Sequence, residues 1–121
     1  MKTKTEKKEL KTFVLELTHL PRTMGMDFGW GNGYVVIPKG HKWYKKPYDD
    51  IMYECNTSQE LTFGELVKDL KSDKWKEHLD ENDKDSYIVG FDTAHYADTL
   101  ERWPKEAVEA ATVQLAKEIN K

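Results

Sequence analysis

The chain has 121 residues, of which 38% are hydrophobic and 34% are charged, and its formal net charge is −3. The weak negative charge argues against binding of long nucleic acid, and the composition is not that of a disordered protein. No apolar run approaches the roughly 20 residues of a membrane span, and we expect no signal peptide because no apolar stretch follows the charged N-terminus. Cys55 is the single cysteine, which excludes an internal disulfide and fits a reducing cytoplasm.

Strand patterns dominate the first half of the chain. Residues 12–18 alternate between two faces, 34–37 are rich in β-branched residues, and 51–56 have a similar composition, so we predict a strand in each. Residues 24–33, between the first two strands, are rich in glycine. Asn32-Gly33 suits a tight hairpin turn there, although the same stretch could form a loop that faces a ligand.

The second half contains two helix patterns and one strand pattern. Thr62 and Glu65 match a capping box, which predicts a helix over 63–70, although the residues just before it also have strand composition. The apolar run 87–91 predicts a buried strand. The clearest helix is 104–120, where a proline suits the first turn and an apolar stripe at helical spacing is expected to pack in the core. This stripe comprises Val108, Ala111, Leu115 and Ile119.

The order of these elements predicts an α+β fold with a mostly antiparallel sheet and the C-terminal helix packed on one face. No repeated βαβ pattern appears, which argues against a parallel sheet. We expect a single domain over 10–121, which suits the length of the chain, behind a flexible N-terminal segment over 1–9.

The strand 87–91 is followed directly by Asp92, Thr93 and His95. An acid, a hydroxyl and an imidazole at the end of a rigid element are a common way to mount a functional site. Asp92 could orient His95 as a general base, but both Asp92 and Thr93 could also satisfy backbone groups of a strand-end turn, with His95 a hydrogen-bonded, partly buried imidazole. Asp92, His95 and Asp98 could bind a divalent metal together with His41, but the sequence has no known metal motif, so we expect no metal and no cofactor.

Residues 39–50 interleave lysines with aromatic residues and a histidine. Cations beside aromatic rings suit a small anionic ligand, although a surface loop that covers the sheet edge would have the same composition. If strands 34–37 and 87–91 pair, this loop, the glycine-rich stretch and the strand end can meet at one edge of the sheet. The ligand site predicted in this way comprises Trp30, Asn32, Tyr34, His41, Trp43, Asp92, Thr93 and His95, with Tyr96 as a further aromatic residue.

Five short motifs resemble a group of small proteins encoded by bacteriophages and prophages. They are Asn-Gly-Tyr-Val at 32–35, Ile-Pro-Lys-Gly-His at 37–41, Tyr-Asp-Asp at 48–50, Leu-Thr-Phe at 61–63 and Gly-Phe-Asp-Thr-Ala-His at 90–95. Members of the group usually carry His-Gly-Gly before the Leu-Thr, where this chain has Ser58-Gln59-Glu60, so no role of that histidine is carried over. The resemblance implies an accessory protein in the host cytoplasm, of a kind often engaged in counter-defence against nucleotide immune signals.

These observations lead to three functional hypotheses. The first is a homo-oligomeric, non-enzymatic protein that sequesters a small anionic ligand, such as a cyclic nucleotide. The second is a small nucleotide or phosphoester hydrolase centred on His95, Asp92 and His41. The third is an inhibitor that binds a host protein through an aromatic surface. We favour the first hypothesis, so we expect a binding protein rather than an enzyme.

Overall fold

A computed structural model describes residues 9–17, 28–71, 73–95 and 98–121 of the chain. Over these residues, four strands form one antiparallel sheet in the order β1-β2-β4-β3. The strands are β1 (Thr12–Glu16), β2 (Gly31–Ile37), β3 (Phe63–Leu66) and β4 (Tyr87–Phe91), and the α-helices are α1 (Tyr48–Cys55) and α2 (Lys105–Ile119). The predicted α+β fold with an antiparallel sheet and a C-terminal helix is confirmed.

The main core lies between the sheet and α2. Val35 and Val89, which are opposite each other on β2 and β4, pack with the helix residues Val108 and Leu115, and all four side chains are fully buried. At Gly33, any larger side chain would overlap Thr112 and Phe91, so the glycine lets the helix approach the sheet closely. Burial of each large apolar side chain contributes about 1.5–3 kcal/mol, which makes the predicted helix stripe a major source of stability.

The opposite face of the sheet is covered by an aromatic cluster, which comprises Phe13, Tyr34, Phe63, Trp75 and His78. The Trp75 ring lies edge-on to Tyr34, with 4.6 Å between ring centroids, and it stacks on Phe63 at 5.5 Å. Trp75 belongs to a short 3₁₀ turn (Asp73–Trp75) rather than to a regular element. An irregular segment therefore closes this face, and no periodic pattern in the sequence indicated it.

The strand predicted over 51–56 is wrong, because these residues belong to α1 (Tyr48–Cys55). The helix begins after Pro47 and carries Asp49 and Asp50 in its first turn, where carboxylates favour the positive end of the helix dipole. Ile51 is fully buried in the main core and Met52 and Cys55 pack against it, while Tyr53 and Glu54 are exposed, which is the burial pattern of one helix face. The helical signal thus lay upstream of the apolar stretch that suggested a strand.

The helix predicted over 63–70 is also wrong. Phe63–Leu66 forms the edge strand β3, and a 3₁₀ turn follows it. The Thr62 hydroxyl, expected to cap the helix, instead donates to Asp92 Oδ2 at 3.0 Å. Pairing with β4 satisfies the backbone of this stretch, and Gly64 weakens its helical tendency, so tertiary contacts override the local capping pattern.

The hairpin turn predicted at Asn32-Gly33 is wrong as well, since both residues lie inside β2 and pair with β1. Pro104 precedes α2 as its N-cap residue instead of lying in the first turn. Residues 18–27 and most of the segment expected to be flexible, 1–8, lie outside the described residues. Among the helices that are described, none has the length and hydropathy needed to cross a bilayer.

Candidate functional site

The residues predicted to form one site lie at two opposite ends of the sheet. β2 and β4 are antiparallel, with Gly33 opposite Phe91 and Ile37 opposite Tyr87. Asp92 to His95 therefore follow β4 near the start of β2, whereas the basic loop 39–50 follows the other end of β2. At about 3.3 Å per residue, the seven residues of β2 separate these ends by roughly 20 Å. The expectation that the three segments meet at one edge is wrong.

At the end of β4, Asp92 and Thr93 hold the turn together. Asp92 accepts hydrogen bonds from the Thr62 hydroxyl at 3.0 Å and from the Ala94 backbone N–H at 3.0 Å. Thr93 is 1% exposed, and its hydroxyl donates to the Gly31 carbonyl at 2.7 Å. Asp92 thus satisfies a backbone group of the strand-end turn, which is the alternative that the sequence left open, whereas Thr93 ties the turn to the start of β2.

His95 lies between two carboxylates on the surface of this strand end. Its Nδ1 is 3.2 Å from Asp98 Oδ2, and its Nε2 is 3.5 Å from Asp92 Oδ1. Each ring nitrogen thus faces a carboxylate of the same strand end, so the imidazole is engaged by its neighbours on both sides. Thr62, Asp92, Thr93, His95 and Asp98 are called the strand-end cluster below. Among the described residues, no group of three or more His, Cys, Asp or Glu could hold a metal ion.

Three other predicted ligand residues are part of the packing. The Asn32 side-chain amide donates to the Tyr34 hydroxyl at 3.0 Å, and Tyr34 belongs to the aromatic cluster. Burial raises the pKa of the Tyr34 hydroxyl. Trp30 packs against the main core on the other face, with Lys105 Nζ 5.6 Å from its ring centroid. These aromatic rings therefore do not converge on a shared ligand, and Tyr96 lies outside the described residues.

His41 and Trp43, the two predicted residues of the basic loop, contact each other and the end of α2. His41 Nδ1 accepts the backbone N–H of Trp43 at 3.1 Å, so in the neutral ring Nε2 carries the proton and donates to Asn120 Oδ1 at 3.1 Å. The Trp43 ring packs against the main core. His41 is therefore fixed by hydrogen bonds at both nitrogens, and Trp43 serves packing rather than stacking on a ligand.

A wide cleft of about 740 Å³ opens at this end of the sheet, which is within the usual size range of small-molecule sites. Apolar atoms from Leu10, Val36 and Pro38 contribute to its wall. Its polar lining includes Lys39, His41, Lys42, Asn82, Ser86 and Asn120. Of the residues predicted from sequence, His41 alone lines this cleft.

A smaller pocket of about 190 Å³ lies next to the wide cleft and is lined by four lysines, namely Lys39, Lys45, Lys68 and Lys84. We call it the lysine pocket. Lys39 lines both cavities, and Asp85 is the one carboxylate in the lining of the smaller one. Lys84 pairs with Glu81 at 3.0 Å, whereas the other three lysines form no ion pair with any part of the chain that the structure describes.

The lysine pocket combines residues that are far apart in the sequence. Lys39 and Lys45 follow β2, Lys68 follows β3, and Lys84 precedes β4. Sequence analysis found the first two as part of the basic loop but missed Lys68 and Lys84. Only the antiparallel pairing of β3 with β4, which places Leu66 opposite Tyr87, brings these two lysines to the same end of the sheet.

The loop that carries Lys39 and Lys45 is held in place by hydrogen bonds. The Tyr44 hydroxyl donates to the Asp85 carbonyl at 2.6 Å, and the Tyr87 hydroxyl donates to the Lys46 carbonyl at 2.7 Å. Lys45 itself adopts a left-handed backbone conformation, with φ of 64°. Non-glycine residues adopt this conformation at a free-energy cost, so the surrounding bonds fix it. The backbone that carries these two lysines is therefore fixed.

Comparison of the chain with protein-family models, with curated proteins and with solved structures finds no match in any of the three.

Proposed function

We propose that this protein binds a small anionic ligand, with the lysine pocket as the anion site. The observation that carries this proposal is the convergence of Lys39, Lys45 and Lys68 without a carboxylate partner among the described residues. Like charges held close together repel one another, and a bound anion offsets that repulsion. Each charge-assisted hydrogen bond to the anion contributes about 1.5–3 kcal/mol.

The resemblance to small phage proteins extends the proposal to the identity of the ligand and to the place where the protein acts. On that basis the ligand is a nucleotide immune signal of the host, which the protein holds stoichiometrically in the host cytoplasm without converting it. The fixed backbone of the basic loop supports binding, because a preorganised site loses less entropy when the ligand binds. Homo-oligomerisation stays a prediction, which sedimentation analysis of the purified protein tests.

Two observations favour binding over the alternatives. A hydrolase centred on His95, Asp92 and His41 would need these residues together, but His41 lies at the other end of the sheet from the other two. An inhibitor that acts through an aromatic surface would need exposed rings, and Tyr53, 84% exposed, is the one aromatic residue among the large exposed hydrophobics of the described chain.

The direct test compares Lys68→Gln with Lys71→Gln. Both variants remove one positive charge from the same segment, but only Lys68 lines the lysine pocket. We expect Lys68→Gln to weaken binding of adenosine mono-, di- or triphosphate by about tenfold in calorimetric titrations, and Lys71→Gln to have little effect. The bound nucleotide should be recovered unchanged by chromatography.

Two results would contradict the proposed function. If no phosphate-bearing compound binds, the lysine pocket is not an anion site. If both variants lose affinity equally, the attraction comes from the overall charge of the surface rather than from the pocket. Conversion of a molar excess of nucleotide by the wild-type protein would instead support the hydrolase.

A further inference from the structure

We infer that the ligand is a phosphomonoester whose terminal phosphate occupies the lysine pocket and whose uncharged body lies in the wide cleft, with Lys39 between them. This inference rests on the proposed function and deepens it. Lys39 lines both cavities, so a ligand longer than one phosphate group can contact this residue while extending into each.

The two cavities differ in size and in the state of their charges. The lysine pocket has about 190 Å³ and three lysines without an ion-pair partner in the described chain, whereas the wide cleft has about 740 Å³. In the wide cleft, Lys11 pairs with Asp83 at 2.7 Å, and Lys42 donates to the Lys121 carbonyl oxygen at 2.8 Å. Apart from the shared Lys39, the lysines of the wide cleft are thus engaged by a carboxylate or a carbonyl oxygen, whereas three lysines without an ion pair in the described chain line the smaller cavity.

The wall of the wide cleft suits the neutral part of such a ligand. Leu10, Val36 and Pro38 provide apolar surface, while Asn82 and Ser86 provide groups that form hydrogen bonds. A body with apolar faces and polar edges, such as a nucleoside or a sugar, matches this combination. Beyond the shared Lys39, a second anionic group would meet only lysines that already donate to Asp83 or to the Lys121 carbonyl oxygen.

The small volume of the lysine pocket, about 190 Å³, favours a terminal phosphate over a cyclic one. In a phosphomonoester the phosphate projects from the end of the body and carries about −1.5 to −2 charges at pH 7. A cyclic phosphodiester carries a single negative charge, and its phosphorus is bonded to the body through two ester oxygens, so its phosphate cannot enter a small pocket without part of the body. The monoester thus offers the pocket more charge and easier access.

Four probe compounds test this inference by calorimetric titration: adenosine 5′-monophosphate, 3′,5′-cyclic adenosine monophosphate, adenosine and inorganic phosphate. With the wild-type protein, we expect the 5′-monophosphate to bind at least tenfold more tightly than the cyclic nucleotide or adenosine. Inorganic phosphate should compete with it. Lys68→Gln should weaken the binding of all three phosphate-bearing probes, and it should weaken the binding of the 5′-monophosphate most.

Asn82→Trp tests the position of the body separately. Asn82 is exposed, and its backbone N–H bond to Asp80, which any residue preserves, is the contact that holds its turn. The indole should obstruct the wide cleft, so we expect at least tenfold weaker binding of the 5′-monophosphate and unchanged binding of inorganic phosphate. Lys76→Trp, an exposed position that lines neither cavity, is the control, and thermal melts confirm that both variants fold.

The outcomes separate this inference from the proposed function. Equal affinity for the cyclic and the 5′-nucleotide, with both sensitive to Lys68→Gln, would overturn the inference and leave the anion site standing. Binding of the 5′-monophosphate that is insensitive to Asn82→Trp would also overturn it. Failure of every phosphate-bearing probe to bind would overturn the proposed function together with the inference.

Discussion

The strand-end cluster and the lysine pocket lie at opposite ends of the same two strands, and their side chains are paired in opposite ways. In the strand-end cluster, Asp92 accepts two hydrogen bonds, Thr93 donates to a carbonyl, and His95 contacts two carboxylates. In the lysine pocket, three cations have no ionic partner within the described residues. A polar residue that satisfies its neighbours contributes to stability, whereas cations that a fold holds together without partners are available to a ligand.

The double variant Lys39→Gln, Lys68→Gln should show the largest effect. Loss of two charge-assisted contacts, each about 1.5 kcal/mol, should weaken phosphate binding by about a hundredfold in calorimetric titrations. Chemical denaturation should show a free energy of unfolding within about 0.5 kcal/mol of wild type, because both changes are at the surface. The pair Lys71→Gln, Lys117→Gln is the control with the same change in charge. A large loss of stability would mean that the lysines are structural.

Thr93→Val tests the other end of the sheet. Valine has the shape of threonine but lacks the hydroxyl, so the buried Gly31 carbonyl loses its 2.7 Å hydrogen bond. We expect the free energy of unfolding to fall by about 1–3 kcal/mol, measured by urea denaturation, while phosphate binding stays the same. Weaker binding in a variant that still folds would connect the strand end with the ligand and break the distinction between the two regions.

His95→Ala distinguishes a surface ion pair from a ligand contact. The His95 side chain is 46% exposed, and exposed ion pairs contribute at most about 1 kcal/mol. We therefore expect a small change in stability and no change in affinity for any phosphate-bearing compound. The sequence hypothesis that placed His95 in the ligand site predicts the opposite, a loss of binding of tenfold or more. Titration of this single variant decides between the two positions of the site.

The smallest effect on stability is expected at alkaline pH, and it comes from the hydroxyl of Tyr34 in the aromatic cluster. Burial raises the pKa of its hydroxyl in the folded protein above the ordinary value of 10.0. At a pH between 10.0 and the raised pKa, the unfolded chain loses this proton and the folded chain keeps it. The free energy of unfolding therefore falls as the pH rises above about 10. Urea denaturation at pH 9 and pH 11 should show a smaller loss for Tyr34→Phe than for wild type. An equal loss would assign the effect to the other groups whose pKa is raised in the fold, which are Tyr87 and Cys55 through burial and Lys11 mainly through its hydrogen bond to Asp83.

Local patterns in the sequence predicted the elements whose burial pattern is regular. β4 (Tyr87–Phe91) and the stripe of α2 were predicted correctly because a continuous apolar run and a helical period each report directly on burial. The predictions for α1 and β3 failed because Pro47 and the pairing with β4, which lie outside these two segments, decide their conformation.

The candidate site was predictable only in part, for a physical reason. Lys39 and His41 belong to a basic loop that is visible in the sequence, but Lys68 and Lys84 join the lysine pocket through strand pairing across distant segments. Equally, Asp92 and His95 form a suggestive motif whose hydrogen-bond partners, such as Thr62, are found only in the folded chain. Whether a polar side chain is already paired cannot be determined without tertiary structure.

The aromatic cluster has a consequence for the kinetics of folding. Trp75 contacts Phe13 on one edge of the sheet and Phe63 toward the other, although Phe13 and Trp75 are about 60 positions apart in the sequence. Contacts between distant segments form slowly, because a long loop must close before any contact offsets its entropy. Helix α2 packs against β1 on the opposite face across an even longer separation in sequence. Both faces of the sheet are therefore closed by distant segments, and folding should be slow for a chain of this length, which stopped-flow Trp fluorescence measures.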